Sequence, residues 1–542
     1  MSEKNSKKTN FLKQNGIRGA VSWIILLLFL VKMIYMSYRT GMAGMSFYAY
    51  ADAVFIVIYL LLAVAVCPIM KKMLCFQFNH GNYKNAAKVY RIIYGFLFVA
   101  AVVTACVLFF FSQRLSILLF GTKLCSLLFK IIAFASFFWI LMFGLKGYME
   151  GIGNPMPGIV ADVLAHTIGL ITTVLTQPAF SDYGRKVAAL MRQDAYAYAY
   201  SVCSGALGLA IGGMFGFLFL CLIRTMFGKD IRRRIRSDEA RKTDSAQDIL
   251  WNFFSNYVKT TYVDHIGVLL AAVLLVVYSH MPGITEGGAG MIYMGMVVMI
   301  LPPALLAWQM GVPFTRQLHM IMKQLDYHHA KERLSFYLKL LSYLILPYVT
   351  IGFAIAPLLA RFCFDVENEQ VTSMFRIGMA GGLLVVYGVF FRQVLSVVVK
   401  PYLRNICAGM LGVSGIVFLI ILKYSGMSGE ECVAYAYVLA CLFFLLLSCF
   451  FVFKKIRIYQ NLVESIVLPC ASALLSAAVV FGLYILLETK MQPVFVLVLC
   501  VLVAYILHNF MITFLGVFKS HEWNEVPAPE LPVAMAKMFG KY

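Results

Sequence analysis

Apolar runs of about twenty residues recur along this chain from residue 17 to residue 516, with short polar turns between them. A helix of roughly 20 apolar residues crosses the hydrocarbon of a bilayer, where lipid offers the backbone no hydrogen-bond partner. Few folds satisfy that condition, and bundles of helices are the main one. Composition agrees: 61% of the 542 residues are hydrophobic and 13% charged, against roughly 45–50% and about 25% in soluble domains. The expected fold is an all-α polytopic membrane protein with about fourteen transmembrane helices. The first two fall near 17–38 and 47–70, the last two near 463–487 and 492–516. Lys4, Lys7, Lys8, Lys13 and Arg18 precede the apolar core of the first run. That run continues past Tyr35 and is read as a retained helix, not a cleaved leader.

Basic residues in short loops stay on the cytoplasmic side. With the N-terminus inside, the inward segments carry 32 of the 46 Lys and Arg residues. The expected location is the inner (cytoplasmic) membrane, with both termini cytoplasmic. The net charge of +21 then belongs to topology and to anionic head groups of membrane lipids. The run Arg232-Arg233-Arg234-Ile235-Arg236 reads as a solvated linker, so no nucleic-acid partner is expected. Thirteen cysteines lie mostly inside the apolar runs without CxxC or Cys/His spacing. Neither a metal nor another cofactor is expected.

An internal repeat divides the chain. Phe11-Leu12-Lys13 resembles Tyr257-Val258-Lys259, and Cys67-Pro68-Ile69-Met70-Lys71 resembles Val312-Pro313-Phe314-Thr315-Arg316. Asn82-Tyr83-Lys84-Asn85-Ala86 resembles Asp326-Tyr327-His328-His329-Ala330, and Lys146 with Pro155 matches Arg392 with Pro401. Four ordered matches at nearly constant offset predict two parallel six-helix repeats, related by an axis along the membrane normal. The predicted organisation is an N-terminal lobe over 1–223, a basic cytoplasmic linker over 224–254 and a C-terminal lobe over 255–453. Two additional helices and a cytoplasmic tail fill 454–542.

Several segments resemble the polysaccharide-exporter branch of the multidrug/oligosaccharidyl-lipid/polysaccharide (MOP) superfamily, in particular its stage V sporulation protein B-like and lipid II flippase-like members. They are Tyr38-Arg39-Thr40-Gly41-Met42-Ala43-Gly44, Gly81-Asn82-Tyr83 and Leu145-Lys146-Gly147-Tyr148-Met149-Glu150-Gly151 with Asn154-Pro155. The glycine-rich stretch from Ser204 to Gly216 joins them. Thr40-Gly41 stands where that branch more usually has Ile-Pro. The resemblance implies MATE-like lobes around a cavity open to one side at a time. It also implies export of an undecaprenyl-diphosphate type of lipid-linked oligosaccharide or cell-envelope polysaccharide precursor.

Such an anionic substrate needs fixed positive charge. Lys32 and Arg39 are seven apart and share one helix face to within about 20°. Arg39 also falls on the family's cavity-facing arginine. Both are candidate substrate contacts, although each also has the reach to snorkel to outer head groups. Asp52 lies at a depth similar to Lys32, as a cavity residue or its neutralising partner. Asp162, His166 and Asp264 are ionisable groups inside spans, and so are candidates for coupling to a proton or sodium ion. The glycines of the sixth span read as helix-packing positions. A cation-coupled multidrug antiporter is the alternative, though the first span has a lysine and no acid. A membrane enzyme is not expected, because the longest outer loop, about 179–196, has no catalytic arrangement.

Overall fold

The structure is a computed structural model that describes residues 11–238, 243–365, 368–456, 463–519, 522–526 and 530–538. Among them every regular element is a helix. In chain order they begin with α1 (Phe11–Ile58), α2 (Val66–Asn79), α3 (Tyr83–Phe110), α4 (Ser112–Phe120) and α5 (Ser126–Gly151). Then come α6 (Met156–Met191), α7 (Ala195–Ser201), α8 (Cys203–Ser237), α9 (Ala246–Tyr278) and α10 (Gly288–Ile292). The second series is α11 (Met299–Lys323), α12 (Tyr327–Ala354), α13 (Ala356–Phe364), α14 (Glu369–Val398), α15 (Pro401–Lys423) and α16 (Gly429–Ile456). It closes with α17 (Leu468–Leu487), α18 (Pro493–Leu515) and α19 (Glu530–Met538).

Among the described residues twelve stretches are long and apolar enough to cross a membrane, the first being the 64 residues Gly16–Asn79. At 1.5 Å per residue that stretch would run about 96 Å, some three times the hydrocarbon thickness. Gly41 divides it: its φ of +66° is left-handed backbone that glycine adopts with little penalty. Twelve such stretches stand against the fourteen expected from sequence, which had divided Gly16–Asn79 into two spans and counted α9 as one. The described apolar part of α9 is His265–Tyr278.

The repeat is visible in backbone detail. α3 has 28 residues, breaks at Phe111 (φ −99°, ψ 14°) and continues as the nine-residue α4, capped by Gly121 in the left-handed region. α12 also has 28 residues, breaks at Ile355 (φ −97°, ψ 17°) and continues as the nine-residue α13, capped by left-handed Asp365. Each first helix starts 244 residues from its counterpart (327 against 83).

Breaks inside the spans free carbonyls, and neighbouring side chains meet them. Proline removes the hydrogen bond to the carbonyl four residues earlier, and in lipid that group needs another donor. Pro303 frees the Met299 carbonyl, which accepts from Tyr348 Oη at 3.0 Å. Pro347 frees the Tyr343 carbonyl, which lies 3.0 Å from His508 Nε2 on α18. Pro178 frees the Val174 carbonyl, 3.5 Å from Tyr35 Oη. In the wide-turned segment Tyr59–Val64 between α1 and α2, the Leu61 carbonyl accepts from Tyr257 Oη at 2.8 Å.

Three expectations from sequence change. Residues 179–191 are not a loop, because α6 runs unbroken through Pro178 to Met191. The arginines from Arg232 to Arg236 continue the helix α8, where Arg233, Arg234 and Arg236 are exposed. Lys146, counted from sequence among the 32 basic residues of the inward segments, lies inside α5 and not in a loop.

By internal contacts the chain forms two compact units. One holds Ile24–Met291 with Ser428–Val433. Its helices α5 and α6 pack on α8, and α2 and α3 pack on α5. The linker end is pinned within it: Asp238 accepts from the Lys84 backbone N–H at 2.7 Å, and Asn85 Nδ2 donates to Asp244 at 2.6 Å. The other unit holds the described residues up to Trp23, Ile292–Met427 and those from Ala434 onward. There α11 packs on α14, and α17 and α18 dock on α12.

That docking is polar at its centre. With the Tyr343 carbonyl as acceptor, His508 Nε2 must carry the proton, so Nδ1 accepts from Ser472 Oγ at 2.9 Å. Tyr343 Oη donates to Asn509 Oδ1 at 2.5 Å. Below it, buried Lys339 contacts Glu522 at 3.1 Å, Arg333 forks onto Glu525 at 2.8 and 2.9 Å, and Trp523 is fully buried. Tyr343→Phe is expected to lower the thermal stability of the detergent-purified protein by about 1 kcal/mol, the typical worth of an interhelical hydrogen bond in a membrane. An unchanged melting curve would mean that the Tyr343–Asn509 bond adds nothing to the docking of α18.

Candidate functional site

The predicted ionisable groups of the first repeat lie on two helices of one compact unit, α1 and α6. Lys32 is buried, at 6% exposure. Its Nζ donates to Tyr48 Oη at 3.2 Å and lies 5.9 and 5.7 Å from the Phe29 and Tyr48 ring centroids. Tyr48 is about one helical turn before Asp52, and the Asp52 carboxylate attracts the Lys32 ammonium. Lys32 and Asp52 therefore act on each other within this unit. Arg39, two turns beyond Lys32, is exposed beside the turn at Gly41. The structure separates it from buried Lys32 despite their shared azimuth.

The second part of the site forms at the α5–α6 hairpin. Gly153 (φ +96°) turns the chain before Asn154-Pro155. Lys146 and Asp162 stand eight residues before and eight after Asn154, so the antiparallel helices bring them level. Their side chains, each 14% exposed, form an ion pair. Gly158 makes room for it, because a Cβ there would come within 2.8 Å of Lys146 Cγ. Lys146 Nζ also lies 4.6 Å from the Phe143 ring centroid. Asp162 Oδ1 is buried with no hydrogen-bond partner among the described residues.

His166 is one turn beyond Asp162. Its Nδ1 lies 2.8 Å from the Asp162 backbone carbonyl, and its ring packs edge-on against Trp139 with centroids 5.4 Å apart. The Nδ1 must donate there, leaving Nε2 as the free acceptor in the neutral ring. The charges of Lys32, Lys146 and Asp162 all act on this imidazole. Trp139 is fixed by its Nε1 bond to the Leu209 carbonyl at 2.9 Å, and Tyr59 stands edge-on to it at 5.4 Å. Lys146, Asp162 and His166 thus bring an ammonium, a carboxylate and an imidazole together at the α5–α6 hairpin. Among the described residues no group of three or more metal-ligating side chains occurs.

Sequence reasoning therefore placed Asp162 and His166 correctly on one face and missed Lys146, whose position at the end of an apolar run looked like a topological charge. The signal was its symmetry with Asp162 about the Asn154-Pro155 turn. The Asp264 side chain lies outside the described residues, so this candidate is not placed.

No protein-family model and no curated protein matches the sequence. Solved structures do. A lipid II flippase, MurJ, in an inward closed conformation matches with a TM-score of 0.65 at 13% identity, over 92% of this chain and 98% of that one. An inward-facing multidrug resistance transporter of the MATE family in the MOP superfamily matches with a TM-score of 0.61 at 13% identity, over 81% and 98%. The eukaryotic MATE transporter AtDTX14 matches with a TM-score of 0.54 at 10% identity, over 81% and 94%. The chain shares the fold of these transporters. The charged groups described above lie in the compact unit that holds Ile24–Met291.

Proposed function

We propose that this chain is an alternating-access exporter of a lipid-linked anionic oligosaccharide, of the undecaprenyl-diphosphate type, with lobes 1–223 and 255–453 and both termini in the cytoplasm. One observation carries the preference for a lipidic substrate. The flippase alignment takes in 92% of the chain and the MATE alignments just named 81%. The difference, 11% of 542 residues or about 60, is large enough to take in the 48 residues of the α17–α18 pair (468–515) beyond the two repeats. Buried Lys32 supports an anionic head group, with exposed Arg39 as its first contact and Asp52 as the charge that sets Lys32.

A cation-coupled multidrug antiporter is the second reading, and one feature favours it. The unpartnered Asp162 oxygen beside His166 suits a transported proton or sodium ion. In the exporter the same pair would couple transport to that ion.

Reconstitution decides between them. Proteoliposomes holding the purified chain are expected to move fluorescent lipid-linked oligosaccharides and not cationic dyes; the reverse result would sink the flippase reading. Arg39→Ala is expected to cut the rate about tenfold or more, the scale of one lost charge-assisted hydrogen bond. Normal transport at equal protein content would remove Arg39 from the site.

A further inference from the structure

A second cluster of aromatic and basic side chains sits apart from these charged groups, at the end of the bundle where α3 begins and α5 ends. Tyr90 and Tyr94 lie in the third and fourth turns of α3, and Tyr148 is three residues from the end of α5. Arg224 follows directly on the sixth apolar run, on α8. All four belong to one compact unit.

The geometry is that of a walled guanidinium. The Arg224 Cζ lies 4.7 Å from the Tyr90 ring centroid and 5.7 Å from that of Tyr148. Tyr90 and Tyr148 are 4.2 Å apart, and Tyr94 stacks on Tyr90 at 5.3 Å. Gly144 leaves space for this stack, since a Cβ there would come within 3.0 Å of the Tyr94 ring. Ring stacking covers the faces of a guanidinium and leaves its in-plane N–H donors unused. Among the described residues Arg224 makes no hydrogen bond or ion pair, and it is exposed. The Tyr90 hydroxyl is buried with no partner, on a side chain 7% exposed. Glu150, two residues from Tyr148, pairs with Lys71 at 3.2 Å.

A forked cation and an unsatisfied hydroxyl at the end of a membrane span are complementary to a tetrahedral oxyanion. Exposed Arg233, Arg234 and Arg236 on the same helix would concentrate anionic lipid there. We propose that Arg224, Tyr90, Tyr94 and Tyr148 form a binding site for the phosphate group of an anionic membrane phospholipid. Arg224 bonds the phosphate oxygens in its plane, the Tyr90 hydroxyl donates to the same group, and the acyl chains lie against the apolar surface of α3 and α8. This site is separate from those charged groups and does not depend on what is transported.

Native mass spectrometry of the full chain in detergent, titrated with dioleoyl phosphatidylglycerol, tests it. Arg224→Ala is expected to weaken the tightest lipid-binding event about tenfold or more, and Tyr90→Phe, which keeps the ring, by about threefold to tenfold. Arg224→Lys keeps the charge and loses the fork, so it should recover only part of the affinity. Diacylglycerol, which lacks the phosphate, is expected not to bind there. Wild-type affinity in both Arg224→Ala and Tyr90→Phe would overturn the proposal. Displacement of the lipid by millimolar inorganic phosphate would also overturn it, assigning the site to free phosphate. Should Arg224→Ala fail to fold, Tyr90→Phe decides alone.

Discussion

Gly212→Val is expected to abolish the folded protein, leaving aggregate in place of a monodisperse peak on size-exclusion chromatography in detergent. The reason is contact between backbones. A Cβ at Gly212 would collide with the Ala165 carbonyl, and one at Gly208 with the Gly169 carbonyl and the Thr173 hydroxyl. From the other side, a Cβ at Gly169 would come within 3.0 Å of the Gly208 carbonyl. No rotamer relieves such a clash, so α6 and α8 would have to separate along their contact. Overpacking of a core costs about 1–3 kcal/mol where side chains can adjust, and here the obstacle is main chain, so the loss should exceed that range. In lipid there is little hydrophobic gain to offset it, since packing itself drives helix association. Gly482→Ala is the control. It lies on α17 with nothing within 4 Å of the added carbon, and is expected to leave stability unchanged or raise it by about 0.5–1 kcal/mol. A Gly212→Val protein that elutes and melts like the native one would show that α6 and α8 need not touch so closely.

Asp162→Ala is expected to destabilise the chain by about 3–5 kcal/mol, because it strands the buried Lys146 ammonium without its counter-charge. Replacing both partners has a different effect. A buried pair exchanged for apolar residues of similar volume is often neutral or stabilising, so Lys146→Met with Asp162→Leu should melt near the native temperature. That variant separates structure from transport. If the pair only holds α5 to α6, the double variant should still carry substrate. If Asp162 moves an ion or Lys146 meets the head group, it should fold normally and transport nothing. Thermal unfolding and vesicle flux on the same preparations give both readings. Loss of stability in the double variant equal to that of Asp162→Ala would contradict the ion-pair account.

Hydropathy alone located the spans, because each must present about twenty apolar residues to lipid wherever it packs. The 244-residue correspondence of α3–α4 with α12–α13 follows the offsets already visible between Asn82-Tyr83 and Asp326-Tyr327. Gly208 and Gly212 were legible as packing positions, since small residues let membrane helices approach. Side-chain partners were not legible in the same way. Lys146 looked like a loop charge because composition cannot distinguish a lysine that exits a span from one that folds back onto Asp162.

Tyrosine partners were not legible either: Tyr257 and Tyr348 each donate to a carbonyl freed inside another span. Proline and helix-widening positions create those acceptors locally, and only three-dimensional packing decides which hydroxyl reaches them. Local chemistry in lipid therefore determined where this chain is helical, where it turns and how it repeats, since every backbone group must be satisfied near its own residue. The tertiary structure alone decided that Lys146 meets Asp162, that His508 meets the Tyr343 carbonyl, and that Lys32 is buried while Arg39 is not. Those facts depend on residues distant in the chain coming within a few ångströms of one another, which no local property of the sequence records.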